Sequence, residues 1–404
     1  MKILVICQYY YPEPFRISDL CEEMVRRGHE VTVVTGEPNY PEGKIYPGYE
    51  MHSRTDEVMG GVQVHRCPII PRRTGAFFRL LNYFSFPFSA KRYLRQLFKN
   101  NADFDVVFVN QLSPVMMAEP AITVKKNRGL PVVMYCLDLW PVSLSAGGVK
   151  KSTALYRVFR SISARIYRSM DRILVTSRMF SDYLEKEFAI DRARLSYLPQ
   201  YAEQLFDSIP AHSAGNETIF LFAGNLGAVQ SVETILYAAE LLKDEPIRIH
   251  IVGGGTDLER LQKIAASKKL EHVQFFGRRP LEEMPAFYAE ADAMLLTLRA
   301  DEALSMTLPG KLQSYMAAGK PVIGAIDGEA AHVIEAAECG HCGRAEDAAA
   351  LAANMLRFAK SDQKAAMGER ARVWYEEHFS QQRFMDALEQ ELRAAADKRS
   401  RLNG

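Results

Sequence analysis

A lysine at the predicted start of a helix is the residue whose position most strongly suggests chemistry. Lys311 follows Pro309 and Gly310 in a segment predicted to form a turn, a helix that stops at Gly319 and a strand that begins at Pro321. A cation at the positive end of a helix dipole is unfavourable by itself, and a phosphate bound between them removes that repulsion. The spacing therefore predicts a phosphate site at Lys311, with a solvent-facing lysine as the structural alternative.

Glycines follow three consecutive predicted strands in the same half of the chain. The first strand leads into Gly224, Asn225 and Gly227, the second into three glycines at 253–255, and the third into Gly277, Arg278 and Arg279. Glycine loops between a strand and a helix let backbone N–H groups approach an anion. One such loop can be an ordinary turn, but three in order predict an anion site that Arg278 and Lys311 would complete.

Two further candidates lie in the first half of the chain. Asp138 ends a predicted strand, where a catalytic or acceptor-binding group is expected; it could equally cap a helix. Arg16 lies in the first strand-to-helix loop and could offer a bidentate contact to an anionic group such as a phosphate. The structural alternative for Arg16 is a surface ion pair with Glu13 or Asp19, and Glu13 is itself a weaker catalytic candidate.

The elements that must position these residues repeat a strand and helix rhythm twice. Apolar runs separated by helical patterns predict two α/β domains, each a Rossmann-like parallel sheet covered by helices, facing a central cleft. The predicted domains are residues 1–205 and 206–375, followed by a C-terminal helix within 376–404 that could pack back on the domain junction. The predicted strands are Lys2–Cys7, Val31–Thr35, Val106–Asn110, Val132–Leu137, Ile219–Ala223, Ile247–Val252, Val273–Phe276, Ala293–Leu298 and Pro321–Ile326.

A basic and aromatic segment interrupts the first domain. Residues 51–100 contain nine Lys or Arg and two acidic residues, and the stretch around 77–88 is rich in phenylalanine. Such a mixture is typical of segments that lie in the headgroup region of an anionic bilayer. We predict that five residues of this segment contact the membrane or the acceptor. Arg157, Arg160, Arg165 and Arg168 could extend the same surface. A packed hairpin of helices is the alternative. The five are Arg72, Arg73, Phe77, Phe78 and Arg79.

Composition and charge limit the classes of protein to which the chain can belong. The 404 residues are 48% hydrophobic and 25% charged, which is typical of folded domains, and the net charge is +1 although the first 200 residues carry an excess of basic groups. The start lacks the pattern of a signal peptide and no uncharged run reaches membrane-spanning length, so we expect a cytoplasmic protein. Six scattered cysteines predict reduced thiols, and the pair in 339–342 predicts a turn, with metal or redox use as the alternative. No metal and no nucleic-acid partner are expected.

Several segments together resemble glycosyltransferase family 4, the retaining enzymes of the GT-B fold, along the whole chain. They are Gln8–Arg16, Pro38–Gly43, Asp138–Pro141, Gly224–Gly227, Gly310–Lys311 and Tyr315–Pro321. The bacterial branch that builds O-antigen, capsule and colanic acid, including L-fucosamine transferases, is the most similar. The resemblance implies that the second domain binds a nucleotide-sugar donor without an obligatory metal or cofactor. Donor contacts are then assigned to Gly224, Asn225, Gly227, Arg278, Lys311 and Ser314.

One feature of the family pattern is missing from this sequence. Many members carry two glutamates eight positions apart, where this chain has Met306 and Ser314; Glu302 is the candidate replacement. With Asp138 and Arg16 as the other catalytic candidates, Arg16 toward the departing diphosphate, we expect transfer of a hexose or N-acetylamino-hexose from a UDP-linked donor, with the retention that the resemblance implies. The acceptor would be a saccharide on undecaprenyl diphosphate at the inner face of the cytoplasmic membrane. A nucleotide-sugar epimerase of the same fold, or a silent sugar-nucleotide-binding subunit, remains the alternative.

Overall fold

The computed structural model describes residues 1–71, 75–100, 102–146, 148–209 and 215–403. The chain forms two compact units. The N-terminal unit contains residues 1–176, 180–198 and 385–404, and the C-terminal unit contains 177–179 and 199–384. The two units are described separately below.

The N-terminal unit is built on an eight-stranded sheet. The strand order is β3-β4-β2-β1-β5-β6-β7-β8, and every neighbouring pair is parallel except β3 and β4. The central strands β1, β5 and β6 are almost entirely buried, as expected of apolar runs in a sheet covered on both faces. The strands are β1 (Lys2–Ile6), β2 (Glu30–Gly36), β3 (Asp56–Met59), β4 (Val62–Cys67), β5 (Val106–Gln111), β6 (Val132–Cys136), β7 (Arg172–Val175) and β8 (Leu195–Tyr197).

Helices connect these strands. They are α1 (Ile17–Arg26), α2 (Ala76–Lys99), α3 (Glu119–Arg128), α4 (Ser143–Ala146), α5 (Ala154–Ser169) and α6 (Arg178–Phe188). After α1 the chain turns at Gly28, whose φ of +86° is the left-handed conformation that glycine adopts without strain, and β2 begins at Glu30. The basic and aromatic segment forms the single long helix α2, with Pro87 inside it, so the alternative of a helical hairpin is wrong for residues 76–99.

The C-terminal unit is built on a six-stranded, fully parallel sheet. Its strand order is β11-β10-β9-β12-β13-β14, so the three predicted glycine-ended strands are neighbours. Apolar residues of the strands and of the covering helices form one continuous buried cluster. The strands are β9 (Thr218–Ala223), β10 (Ile247–Val252), β11 (Val273–Gly277), β12 (Ala293–Thr297), β13 (Val322–Ala325) and β14 (Gly340–Gly343).

The remaining helices complete the chain. They are α7 (Val232–Leu241), α8 (Leu258–Ser267), α9 (Met284–Glu290), α10 (Glu302–Ser305), α11 (Gly310–Ala317), α12 (Glu329–Ala336), α13 (Ala348–Ala359), α14 (Lys364–His378) and α15 (Gln381–Asn403). The last helix begins in the C-terminal unit and continues, from Met385, in the N-terminal unit.

All nine predicted strands are confirmed to within a residue or two at each end. The turn predicted at residues 339–342 is wrong, because Gly340–Gly343 pairs with β13 as the edge strand β14. All six cysteines are free, and five of them are buried.

Candidate active site

Lys311 lies in the first turn of α11 beside the end of β9. Its Nζ donates to Gln230 Oε1 at 2.6 Å and lies 4.2 Å from the centre of the Phe222 ring. A Cβ built on Gly224 would lie 3.0 Å from the same nitrogen. Burial lowers the pKa of Lys311 to about 7, because the ammonium group is poorly hydrated there. An anion bound beside Nζ would stabilise the charged form of Lys311 and raise its pKa again.

The glycine loops after β9, β10 and β11 are joined by backbone hydrogen bonds. Gly224 N–H donates to Val252 C=O and Leu226 N–H to Gly254 C=O, each at 2.9 Å, and Gly253 N–H donates to Gly277 C=O at 2.9 Å. A Cβ on Gly253 would meet Gly224 C=O at 1.8 Å, so only glycine allows the first two loops to approach. The three predicted loops therefore form one continuous backbone surface.

The other predicted donor-binding residues are distributed along that surface. Asn225 is exposed, and its side chain lies close to the Cα positions of Gly227 and Gly255. Arg278 is exposed after β11, with its Cβ 3.3 Å from a Cβ built on Gly254. Gly224, Asn225, Gly227 and Arg278 thus lie on adjoining loops, and Lys311 lies beside them in α11. They share the carboxyl edge of the sheet, where parallel α/β sheets bind ligands.

A buried tyrosine fixes α11 against β9. The hydroxyl of Tyr315 donates to Ala223 C=O at 3.1 Å and accepts from Ala223 N–H at 3.3 Å, and the side chain is fully buried. Tyr315 lies four residues after Lys311, one helical turn along α11. The tyrosine therefore sets the position of the helix that carries the lysine.

The predicted Ser314 has a carboxylate partner that sequence reasoning missed. Its hydroxyl donates to Glu203 Oε2 at 3.1 Å, and the serine is buried. Glu203 lies in the segment that precedes β9, where no strand or helix pattern marks it. Gln230, the partner of Lys311, was missed for the same reason: it lies in a short turn between β9 and α7.

The position of Glu302 differs from that of Glu203. Glu302 is exposed in the first turn of α10, directly after Asp301, whose carboxylate caps that helix by accepting from Ala303 N–H and Leu304 N–H. Met306, at the other family glutamate position, is buried at the end of the same helix. Glu203, unlike Glu302, is shown in direct contact with α11, through Ser314.

Asp138 lies two residues beyond β6 in the N-terminal unit. Its carboxylate accepts from Trp140 Nε1 at 3.1 Å, and Trp140 Nε1 also lies 3.0 Å from Ser113 Oγ. Burial raises the pKa of Asp138 to about 6, although hydrogen bonds from Ser143, Trp140 and Ser113 oppose that shift. A carboxyl group with such a pKa can exchange a proton near neutral pH.

Arg16 immediately precedes α1 and is partly buried. Glu13, three residues earlier, is almost fully buried and accepts from the N–H groups of Tyr10, Asn39 and Tyr40 at 3.2, 2.9 and 2.7 Å. Glu13 therefore joins the loop after β1 to the loop after β2. Its burial raises the pKa of the carboxyl to about 7.

The predicted membrane and acceptor residues lie at the start of α2. Phe78 and Arg79 are exposed, whereas Arg72 and Arg73 lie outside the described residues and only the helical backbone of Phe77 is described. A groove of about 870 Å³ runs along α2, lined mainly by apolar groups that include Ile70, Phe84 and Phe88. The predicted extension over α5 is partly occupied by ion pairs, since Arg160 pairs with Glu187 and Arg165 with Glu119.

Within the described part of the chain, no helix combines the length and apolar character needed to cross a bilayer. Nor do three or more His, Cys, Asp or Glu side chains converge on a point that could hold a metal ion, across the same residues.

Two family models match the chain, one on each half. Residues 15–200 match the glycosyl transferase 4-like domain, and residues 206–374 match the glycosyl transferases group 1. The chain is a glycosyltransferase of the GT-B type. The predicted fold of two parallel-sheet α/β domains is confirmed.

Relatives and solved structures agree with that assignment. WcaI of Escherichia coli K12, named as a glycosyl transferase of colanic acid biosynthesis, is 28% identical to this glycosyltransferase over 338 residues, covering 79% of this chain and 82% of WcaI. A glycosyltransferase of Rickettsia africae superposes with a TM-score of 0.68 at 15% identity and 98% coverage of both chains. HepE of Anabaena, crystallised with UDP, superposes with a TM-score of 0.71 at 14% identity, covering 98% of this chain and all of HepE. Identities this low show the shared fold.

Proposed function

We propose that this glycosyltransferase moves a hexose or N-acetylamino-hexose from a UDP-sugar to a lipid-linked saccharide, with retention at the anomeric carbon, in the synthesis of a cell-surface polysaccharide. The polysaccharide assignment is supported by the relative named for colanic acid biosynthesis. The choice of UDP is supported by the UDP complex of a protein with the same fold.

The observation that carries the proposal is the surface formed by Lys311 and the glycine loops. Lys311 Nζ and the N-terminal turn of α11 place positive charge beside Gly224, whose missing side chain leaves room for a ligand to approach. A nucleoside diphosphate supplies the negative charge that such a place favours. A lysine whose pKa has fallen to about 7 gains most from an anion, because the anion offsets the lost hydration.

The main barrier to transfer is the charge that develops on the departing diphosphate. We assign its stabilisation to Lys311 and Arg278, and Arg16 remains a proposed contact to the departing diphosphate. Each well-placed donor can lower the barrier by about 3 kcal/mol. Asp138 would orient the acceptor hydroxyl and take its proton, for which the raised pKa of its carboxyl is suited. Glu302 and Ser314 remain proposed contacts to the donor sugar or ribose.

The groove along α2 supports a lipid-linked acceptor. Its lining is mainly apolar, as a hydrocarbon chain requires, and Arg92 on its rim could contact a phosphate. Phe88 is 76% exposed, an unusual cost in water that insertion into a membrane interface would remove. We propose that the protein acts at the inner face of the cytoplasmic membrane, with undecaprenyl diphosphate as the carrier.

Calorimetric titration of the full chain with UDP, GDP and ADP tests the donor half of the proposal. We expect UDP to bind and Lys311→Ala to weaken binding by at least tenfold. If none of the three nucleotides binds, the proposed transferase activity is contradicted. With a UDP-sugar that binds, NMR of the products separates the alternatives: an epimerase inverts a sugar carbon on the nucleotide without any acceptor, and a silent subunit leaves the donor intact.

Flotation with vesicles of phosphatidylglycerol and phosphatidylcholine tests the membrane half. We expect the wild type to float with anionic vesicles, and the double variant Phe84→Ser, Phe88→Ser to remain in the lower fractions. The matched control is Tyr237→Ser, which changes an exposed aromatic residue of α7 in the C-terminal unit. Equal flotation of the double variant and the wild type would contradict the proposed surface.

A further inference from the structure

Three aromatic rings meet at the carboxyl edge of the N-terminal sheet. Tyr9 and Phe15 follow β1, and Tyr40 follows the neighbouring strand β2. The ring centres lie 5.2 Å apart for Tyr9 and Phe15, 5.8 Å for Tyr9 and Tyr40, and 5.2 Å for Phe15 and Tyr40. Tyr9 is buried, whereas Phe15 and Tyr40 are partly exposed. A buried aromatic residue thus packs against two that are partly exposed.

The loops that carry these rings are held rigidly. The carboxylate of Glu13 accepts from three backbone N–H groups in both loops, including that of Tyr40. Tyr46 donates from its hydroxyl to Tyr40 C=O at 2.8 Å, and the fully buried Asn39 donates to Glu37 C=O at 3.0 Å. Burying a carboxylate costs free energy, and the three N–H donors offset that cost. Because the donors come from both loops, they also fix the position of one loop against the other. Such fixed rings lose little entropy on binding a ligand.

The aromatic cluster adjoins the surroundings of Asp138. Tyr9 donates from its hydroxyl to Ser113 C=O at 3.4 Å, and the Ser113 side chain contacts both Trp140 and Asp138. The strands that precede these residues, β2, β1, β5 and β6, are consecutive in the sheet. The rings and the proposed catalytic carboxylate therefore share one edge of one unit.

Aromatic residues that are partly open to solvent suit one feature of sugars. A pyranose ring presents C–H groups on a face that is poorly hydrated, and that face packs on an aromatic ring while the hydroxyls remain available for hydrogen bonds. We propose that Phe15 and Tyr40 form the platform on which a sugar ring of the acceptor stacks, at the edge of the sheet that carries Asp138. The platform rests on the proposed function, because it assigns the acceptor half of that site.

Saturation-transfer NMR with methyl glycosides of glucose, galactose and N-acetylglucosamine tests the platform. We expect saturation of the aromatic protons of the full chain to reach the ring C–H protons of at least one glycoside. The signal should fall at least fivefold in Phe15→Leu and Tyr40→Leu, which keep apolar volume but lack a ring face. Phe15→Tyr and Tyr40→Phe should retain it, and Tyr237→Leu, an exposed tyrosine of the C-terminal unit, is the matched control.

Two further measurements separate the possible failures. Thermal unfolding and UDP titration are recorded for every variant. A Leu variant that no longer folds is recognised in this way and is replaced by Phe15→Met or Tyr40→Met, which also lacks a ring. If UDP binds but no glycoside receives saturation, or if the Leu variants keep the full signal, the platform is overturned while the donor site stands. If no nucleotide binds the wild type, the proposed function itself fails.

Discussion

Lys311 should make the proposed nucleotide binding weaker as the pH rises. Its pKa is about 7 in the free protein, and a bound diphosphate raises that pKa, so binding takes up a proton above pH 7. The UDP affinity of the wild type should fall by up to about tenfold per pH unit between pH 7 and 8.5, where the phosphates of UDP are already ionised. Calorimetric titration at several pH values measures the slope.

Lys311→Met should bind UDP weakly and without that slope. Uridine, which lacks the diphosphate, is the control ligand and should show the same affinity across the pH range. A wild-type slope that survives in Lys311→Met would assign the titrating group to another residue.

Asp138 should control turnover without affecting donor binding. The carboxylate must be ionised to accept a proton, and its pKa of about 6 means that kcat/KM should rise as pH increases through 6. Asp138→Asn should lower kcat by about 100-fold or more, within the usual range for a lost acid–base group. Initial rates with a UDP-sugar and an acceptor that supports turnover measure the effect, with UDP affinity as the control. An Asn variant with wild-type kcat would remove Asp138 from the reaction.

Single residues could be predicted from the sequence where a local pattern fixes their position. Lys311 and Gly224 lie at strand and helix ends that hydrophobic runs mark clearly. Glu203 could not be found in this way, because its contact with Ser314 joins residues 111 positions apart and its own segment has no regular pattern. The exchange of a family glutamate for Ser314 pointed to a missing partner but not to where the partner lies.

At the scale of elements, Tyr315 connects helix α11 to strand β9. Tyr315→Phe removes a hydroxyl that serves both the N–H and C=O groups of Ala223, so stability should fall by about 1 to 2 kcal/mol. UDP affinity should fall as well, because Lys311 depends on the same helix. The shift of the urea midpoint and a UDP titration measure the two effects. Tyr237→Phe, which changes an exposed tyrosine, is the control and should alter neither stability nor UDP affinity. If UDP affinity is unchanged in Tyr315→Phe, binding does not depend on the contact between Tyr315 and Ala223.

The sequence predicted nine of the fourteen strands that the structure describes, and the five that it missed, β3, β4, β7, β8 and β14, lie at or next to an edge of a sheet. Central strands such as β1 and β9 are buried apolar runs, whose pattern is strong. The edge strand β14 has the sequence Gly-His-Cys-Gly, which lacks the β-branched residues typical of strands. It forms because β13 offers it a free edge, and a Cβ on Gly340 would lie 1.8 Å from Val322 C=O. The need for glycine at position 340 is set by the tertiary structure, and local strand propensity does not reveal it.

At the scale of the whole molecule, α15 supplies the N-terminal unit with part of its core. Leu388 and Leu392 are buried, and Glu391 forms a bidentate pair with Arg172 at 2.7 and 2.8 Å while accepting from Ser196 at 2.6 Å. Leu388→Ala should destabilise the N-terminal unit by about 3 kcal/mol. Calorimetric unfolding with and without UDP identifies the unit, since UDP should raise only the transition of the unit that binds it.

Val373→Ala is the matched control for that experiment. Val373 is exposed on α14, in the C-terminal unit, and its replacement should leave both transitions in place. A loss of stability confined to the UDP-responsive transition of Leu388→Ala would contradict the assignment of α15 to the N-terminal unit.

The return of α15 also sets an order of events during synthesis. Strands β1–β8 emerge from the ribosome first, but residues 385–404 follow only after the entire C-terminal unit has been translated. Until then the nascent N-terminal unit lacks α15 and exposes to solvent or to chaperones the apolar surface against which Leu388 and Leu392 pack. The unit that is translated first is therefore the one that is completed last.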